Sequence, residues 1–154
     1  MTLHFAYGSN MSVRDMRARC PGATPVGVAT LAGWRFVINP DGYGSIAREP
    51  GGIVHGVLWR LGPRELAAIN AYENVAGGLY VRRVLPVLRD GQREPALVYI
   101  ARRSGEGTPR PGYIELVVAA GRDWGLSERY IASLRRWSPS ALAGARAKDT
   151  GEVG

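Results

Sequence analysis

A chain of 154 residues that is 45% hydrophobic has room for one domain with its own core. No run in it approaches the roughly 18 apolar residues that span a bilayer, so no membrane partner is expected. The formal charge of +7 comes from nineteen arginines and a single lysine, Lys148, with nothing longer than pairs such as Arg82-Arg83, Arg102-Arg103 and Arg135-Arg136. That dispersal argues against a nucleic-acid-binding stripe and leaves a mild field that favours small anions.

Leu3 to Tyr7 reads as a short strand running into a Gly-Ser-Asn turn. Ser12-Val13-Arg14-Asp15 resembles a capping box and opens a short helix towards Cys20, which Pro21 and Gly22 end. Segments 24–31 and 33–38, β-branched or aromatic, predict two strands separated at Ala32-Gly33. Asn39-Pro40-Asp41-Gly42 is a turn. From Ile53 to Leu61 apolar residues alternate on both faces, the pattern of a central strand. Pro63 suits the first turn of a helix to Tyr72. Leu79 to Leu88 and Glu94 to Arg102 predict two strands, with Asp90-Gly91 as their hairpin turn. After a Gly- and Pro-rich loop, Ser104 to Gly112, two helices follow, Tyr113 to Trp124 and Ser127 to Trp137, the second capped by Ser127. Residues 1–138 are thus expected to form one domain and 139–154 a flexible tail. Six or seven strands and four helices without regular alternation indicate a mixed α+β fold, a curved sheet or small barrel with helices around it.

Cys20 is the only cysteine, so no intrachain disulfide forms, and a packed thiol is the expected state. With only His4 and His55, and neither HExxH nor CxxC, no metal site is expected. The N-terminus MTLHFAYGSN lacks the basic region and cleavage pattern of a signal peptide, which points to the cytoplasm.

Two places attract chemical interest. On the 63–72 helix, Leu66, Ile69, Asn70 and Glu73 recur at the spacing of one helix face, and the apolar pair marks that face as inward. Glu73 then sits at the edge of a buried stripe and at the negative end of the helix dipole. Both effects raise a carboxyl pKa, as a general base requires; a solvent-facing Glu beyond a frayed end is the plainer alternative. The loop Tyr7-Gly8-Ser9-Asn10 leaves a strand and precedes a cap. Its Gly8 permits the turn, successive N–H groups there form an anion nest, and Ser9 and Asn10 add donors; an ordinary strand–helix turn is the alternative. Arg48 is a candidate partner for a substrate carboxylate. His55 and the tryptophans Trp34, Trp59, Trp124 and Trp137 read as packing residues.

The resemblance to a known family rests on FAYGSNMS at 5–12, GIVHGVLWRL at 52–61, INAYENVAGGLYVRR at 69–83 and PGYIELVVAAGRDWGLSERYIASL at 111–134. Together these resemble the γ-glutamylcyclotransferase family, from about residue 3 to 137. The resemblance implies a small closed or partly open β-barrel of about six strands flanked by helices. It also implies release of an amino acid or amine from a γ-glutamyl substrate with formation of 5-oxoproline, chemistry that requires no metal and no cofactor. By the same resemblance, the loop of Tyr7, Gly8, Ser9 and Asn10 cradles the glutamyl part, beside the strand backbone of His4, Phe5 and Ala6. Glu73 is then the acid/base, Tyr113 contacts substrate, and Tyr80 lines the pocket. Asn74 stands where family members often carry Gly. The partner implied is a γ-glutamyl small molecule, without nucleic acid or membrane, for a monomer or homodimer. Other readings are a cyclotransferase for γ-glutamyl amines or a biosynthetic γ-glutamyl intermediate, and a non-catalytic module binding a small acid or a protein.

Overall fold

The computed structural model describes residues 1–138 and Ala141; the expected tail at 139–154 otherwise lies outside the described residues. Five strands form a closed barrel: β1 (Thr2–Ala6), β2 (Thr24–Ile38), β3 (Gly44–Leu61), β4 (Tyr80–Arg89) and β5 (Gln92–Ala101), in the spatial order β1-β3-β2-β4-β5. Among the described residues four helices flank it: α1 (Val13–Arg19), α2 (Pro63–Tyr72), α3 (Tyr113–Asp123) and α4 (Glu128–Arg135). The α+β barrel expected from the sequence is therefore present, with five strands instead of six or seven.

The difference in count has a physical origin. Segments 24–31 and 33–38 form one strand, because Gly33 adopts φ of 88° and absorbs a bulge without ending the pairing with β3. On the partner strand, residues 49–52 oppose Gly33 alone, between the pairs Ala32↔Ile53 and Trp34↔Arg48. Those bulged residues, Glu49-Pro50-Gly51-Gly52, break the alternation, so the first part of β3 carries no strand signature although its backbone continues.

β3 is central as expected, hydrogen-bonded antiparallel to β1 on one side and β2 on the other. β4 and β5 form a hairpin whose two-residue turn, Asp90-Gly91, has φ of 48° and 77°. Both values are positive, as the tight turn matching strand twist requires. Closure comes from the short parallel contact of β1 with β5 at His4↔Leu97, where the buried His4 Nδ1 lies 3.3 Å from the Leu97 carbonyl. Phe5, Leu31, Val54, Val57, Leu58, Val87 and Val98 are buried in the core, and Ile114, Val117, Ile131 and Leu134 carry it beneath α3 and α4.

Two of these helices, α1 and α4, start at side-chain caps. Ser12 Oγ accepts from Asp15 N–H at 3.2 Å, and Ser127 Oγ from Tyr130 N–H at 3.2 Å. Trp124 packs edge-on against Trp59, and its indole N–H donates to the Met11 carbonyl at 2.8 Å. That bond anchors the loop after β1 to the end of α3. No helix among the described residues is long and apolar enough to cross a membrane.

Candidate active site

At the end of β1 the chain leaves the barrel at Tyr7, passes Gly8 and tightens into a 3-10 turn at Ser9–Met11. Glu73 closes α2 opposite this loop, its N–H donating to the Ile69 carbonyl at 2.9 Å. Between them lies a cavity of about 220 Å³. Phe5, Ala6, Tyr7, Gly8, Ser9, Asn10, Glu73, Tyr80 and Tyr113 all border it, so of the candidates named from the sequence only Arg48 falls outside this one place. His4, Tyr43, Gly44, Tyr72, Leu79 and Tyr99 complete the wall.

Glu73 is half-buried, and Asn10, only 5% exposed, donates from Nδ2 to Glu73 Oε1 at 3.3 Å. Burial drives the Glu73 carboxyl up from its ordinary 4.5 to about 7, although Arg19 and the Asn10 hydrogen bond both pull it back down. A carboxyl at that value divides its time between acid and base near neutral pH, which suits it to carry a proton in both directions. The next residue, Asn74, has φ of 49° and is exposed. Asn tolerates the left-handed region, and its Oδ1 steadies the turn by accepting from Gly77 N–H at 3.2 Å. The Asn at this position thus serves the turn and does not border the cavity.

Phenols form much of the remaining wall. Tyr7 donates its hydroxyl to the Tyr99 carbonyl, and Tyr99 donates to Asn70 Oδ1 on α2 at 2.5 Å. Tyr80 donates to the Gly44 carbonyl at 2.8 Å and accepts from Asn39 Nδ2 at 3.2 Å. Asn39 is itself fixed, because its Oδ1 accepts from the N–H groups of Asp41 and Tyr43. The Tyr113 hydroxyl is wedged between two backbones: a methyl group added at Gly8 or at Gly44 would stand 2.7 Å from it. Burial raises the pKa of all four phenols, chiefly by desolvation, so they remain protonated at neutral pH and act as hydrogen-bonding groups. Tyr43 meets Tyr113 edge-on at 5.8 Å and carries the Arg110 guanidinium over its own ring at 4.8 Å, which sets the outer rim.

Arg48 lies elsewhere: its guanidinium stacks on Trp34 at 4.9 Å from the ring centroid and does not border the cavity. His55 stacks on Tyr130 at 4.4 Å, the packing role expected of it. Several site residues carried no signal in the sequence. Tyr72 adjoins Glu73, but one helical step places it outside the inward stripe. Tyr43 and Gly44 arrive from the far end of the β2–β3 hairpin. Arg19 ends a helix too short for periodicity to orient it. Among the described residues, no group of three His, Cys, Asp or Glu side chains is placed to hold a metal ion.

The family model described as "Gamma-glutamyl cyclotransferase, AIG2-like" matches residues 4–124. The gamma-glutamylcyclotransferases of Mus musculus and Bos taurus are 26% and 28% identical over 153 residues, spanning 92% of this chain and 81% of each relative. A solved structure named gamma-glutamyl cyclotransferase superposes with a TM-score of 0.84 at 26% identity, over 90% of this chain and 88% of that one.

Proposed function

The chain belongs to the gamma-glutamyl cyclotransferase, AIG2-like family, and from that premise we propose that it converts γ-glutamyl amides into 5-oxoproline and a free amine or amino acid, with Glu73 as the proton carrier. The observation that supports this reading most is the pairing of Glu73, raised to about 7, with the Asn10 amide across one cavity. In this reading the backbone of Phe5 and Ala6 and the loop from Tyr7 to Asn10 receive the glutamyl head. Tyr80 and Tyr113 close its sides.

The substrate's α-ammonium cannot attack until it loses a proton, and Glu73 accepts that proton. The freed amine then bonds to the γ-carbonyl carbon and closes a five-membered ring. Negative charge develops on the carbonyl oxygen, where loop N–H groups stabilise it. The C–N bond to the leaving group breaks as Glu73 returns its proton to the departing nitrogen. Both protons that the α-nitrogen gives up end on the leaving amine, so the overall step consumes neither water nor a net proton. Holding the two ends of one substrate in register supplies a large part of the acceleration, about 7–11 kcal/mol for a well-oriented intramolecular attack.

The test is 5-oxoproline release from γ-glutamyl dipeptides, glutathione, γ-glutamyl-ε-lysine and γ-glutamyl amines. Wild type is expected to turn over at least one of them and Glu73→Gln none, with the fold retained because Gln preserves shape and the acceptor for Asn10. Normal turnover by Glu73→Gln would remove Glu73 from the mechanism. A folded but silent wild type would favour a binding module. We further propose a cytoplasmic monomer or homodimer that works without nucleic acid. Cell fractionation, light scattering and a low-salt DNA and RNA binding assay respectively check these three points.

A further inference from the structure

Arg19, the last residue of α1, folds back over the loop that follows β1. Its Nη1 donates to Asn10 Oδ1 at 2.7 Å and to Ser9 Oγ at 3.0 Å, and its guanidinium lies over the Tyr72 ring, 3.9 Å from the centroid. It is half-buried, forms no ion pair among the described residues and does not border the cavity. A guanidinium held this way contributes through the groups it touches.

The group most affected is the Asn10 amide. With its oxygen taken by Arg19, its nitrogen is presented to Glu73 Oε1. The flipped amide would set its NH2 against the guanidinium and its oxygen against the carboxylate, two repulsive contacts in place of two attractive ones. Arg19 thereby selects the amide orientation that serves Glu73. The surroundings of Glu73 otherwise offer phenols: Tyr7 from the loop after β1, Tyr72 from α2, Tyr80 from β4, Tyr99 from β5 and Tyr113 from α3. Arg19 is the one cation that acts on Glu73 among the described residues, and it draws the carboxyl towards its ionised form against the effect of burial.

We propose that Arg19 is a positioning residue for proton transfer: it locks the Asn10 amide and supplies a fixed cation behind the loop, and so keeps Glu73 available as a proton acceptor. The proposal rests on the reading of Glu73 as the proton carrier. Lysine in place of Arg19 would keep the charge but lose the planar fork and the stacking on Tyr72.

The deciding experiment follows Glu73 directly, by NMR titration of 13C-labelled glutamate carboxyls, with Glu73→Gln identifying the resonance. Wild type is compared with Arg19→Met, Arg19→Lys, Asn10→Ala and the Arg19→Met/Asn10→Ala double variant. The pH profile of 5-oxoproline release is recorded beside it. In Arg19→Met the Glu73 midpoint is expected to rise by about 1 pH unit, the size of an opposite-charge effect at short range. The acid limb of kcat/KM should move with it, so that activity lost below neutrality returns as the pH is raised. Arg19→Lys should fall between. The double variant should shift less than the sum of its parts, because the guanidinium acts partly through Asn10.

An unchanged midpoint in Arg19→Met, or a pH-independent loss of activity that tracks thermal stability, would overturn the assignment. Should Arg19→Met fail to fold, Arg19→Lys supplies the titration, and a wild-type midpoint there would overturn the role of the fork. A wild type silent for 5-oxoproline would instead end the proposed function, and the titration remains readable without turnover.

Discussion

Replacing Glu73 by Gln should change not only turnover but the way stability depends on pH. In the unfolded chain this carboxyl titrates near its ordinary 4.5, whereas in the folded protein burial has raised it to about 7. Between those values the native state holds a proton that the unfolded state has released. Stability therefore falls as pH rises across this window, at about 1.4 kcal/mol per pH unit, and levels off above the folded value. The full effect is about 3 kcal/mol: present below pH 4.5 and lost above 7. Gln cannot ionise, and it still accepts a hydrogen bond from Asn10, so the variant lacks this dependence. For a domain of this size the difference in Tm between variant and wild type should grow in the variant's favour by roughly 6–12 °C between pH 4.5 and 8. Thermal melts of both proteins across that range read it, and taking the difference cancels every other titrating group. A difference that stays constant from acid to alkaline pH would refute the argument, because it would mean that Glu73 ionises in the folded protein as it does in water.

Two further outcomes are expected. Gly8→Ala puts a methyl group 2.7 Å from the Tyr113 hydroxyl, so it should displace that ring and depress kcat/KM by an order of magnitude or more; adding Tyr113→Phe removes the clashing oxygen and should restore part of the thermal stability, as a double-mutant cycle in melting experiments would record. Ser127→Ala deletes the side-chain cap of α4, remote from the cavity, and should cost about 1 kcal/mol in denaturant unfolding with kcat unchanged.

What was legible in the sequence is what short-range physics controls. The caps at Ser12 and Ser127, the Asp90-Gly91 turn, the alternation through 53–61 and the stripe Leu66-Ile69-Asn70-Glu73 each depend on neighbours within two turns or one strand, and each stands in the structure as read. The family motifs added which local features belong to one site. The long-range choices were not legible. Whether Gly33 ends a strand or bulges it depends on the partner strand, and β3 ran through Glu49-Pro50-Gly51-Gly52 because β2 was there to pair with it. Closing the barrel required β1 to meet β5 at His4↔Leu97, more than ninety residues apart, a contact that no local pattern encodes. Closure of the barrel and packing of its helices likewise brought Tyr43 and Gly44 against Tyr113, and Arg19 against Asn10 and Tyr72. Periodicity tells which way a side chain faces within its own element. Only the packed tertiary structure decides what it faces, and with it how far burial raises the Glu73 carboxyl and which cation holds that rise in check.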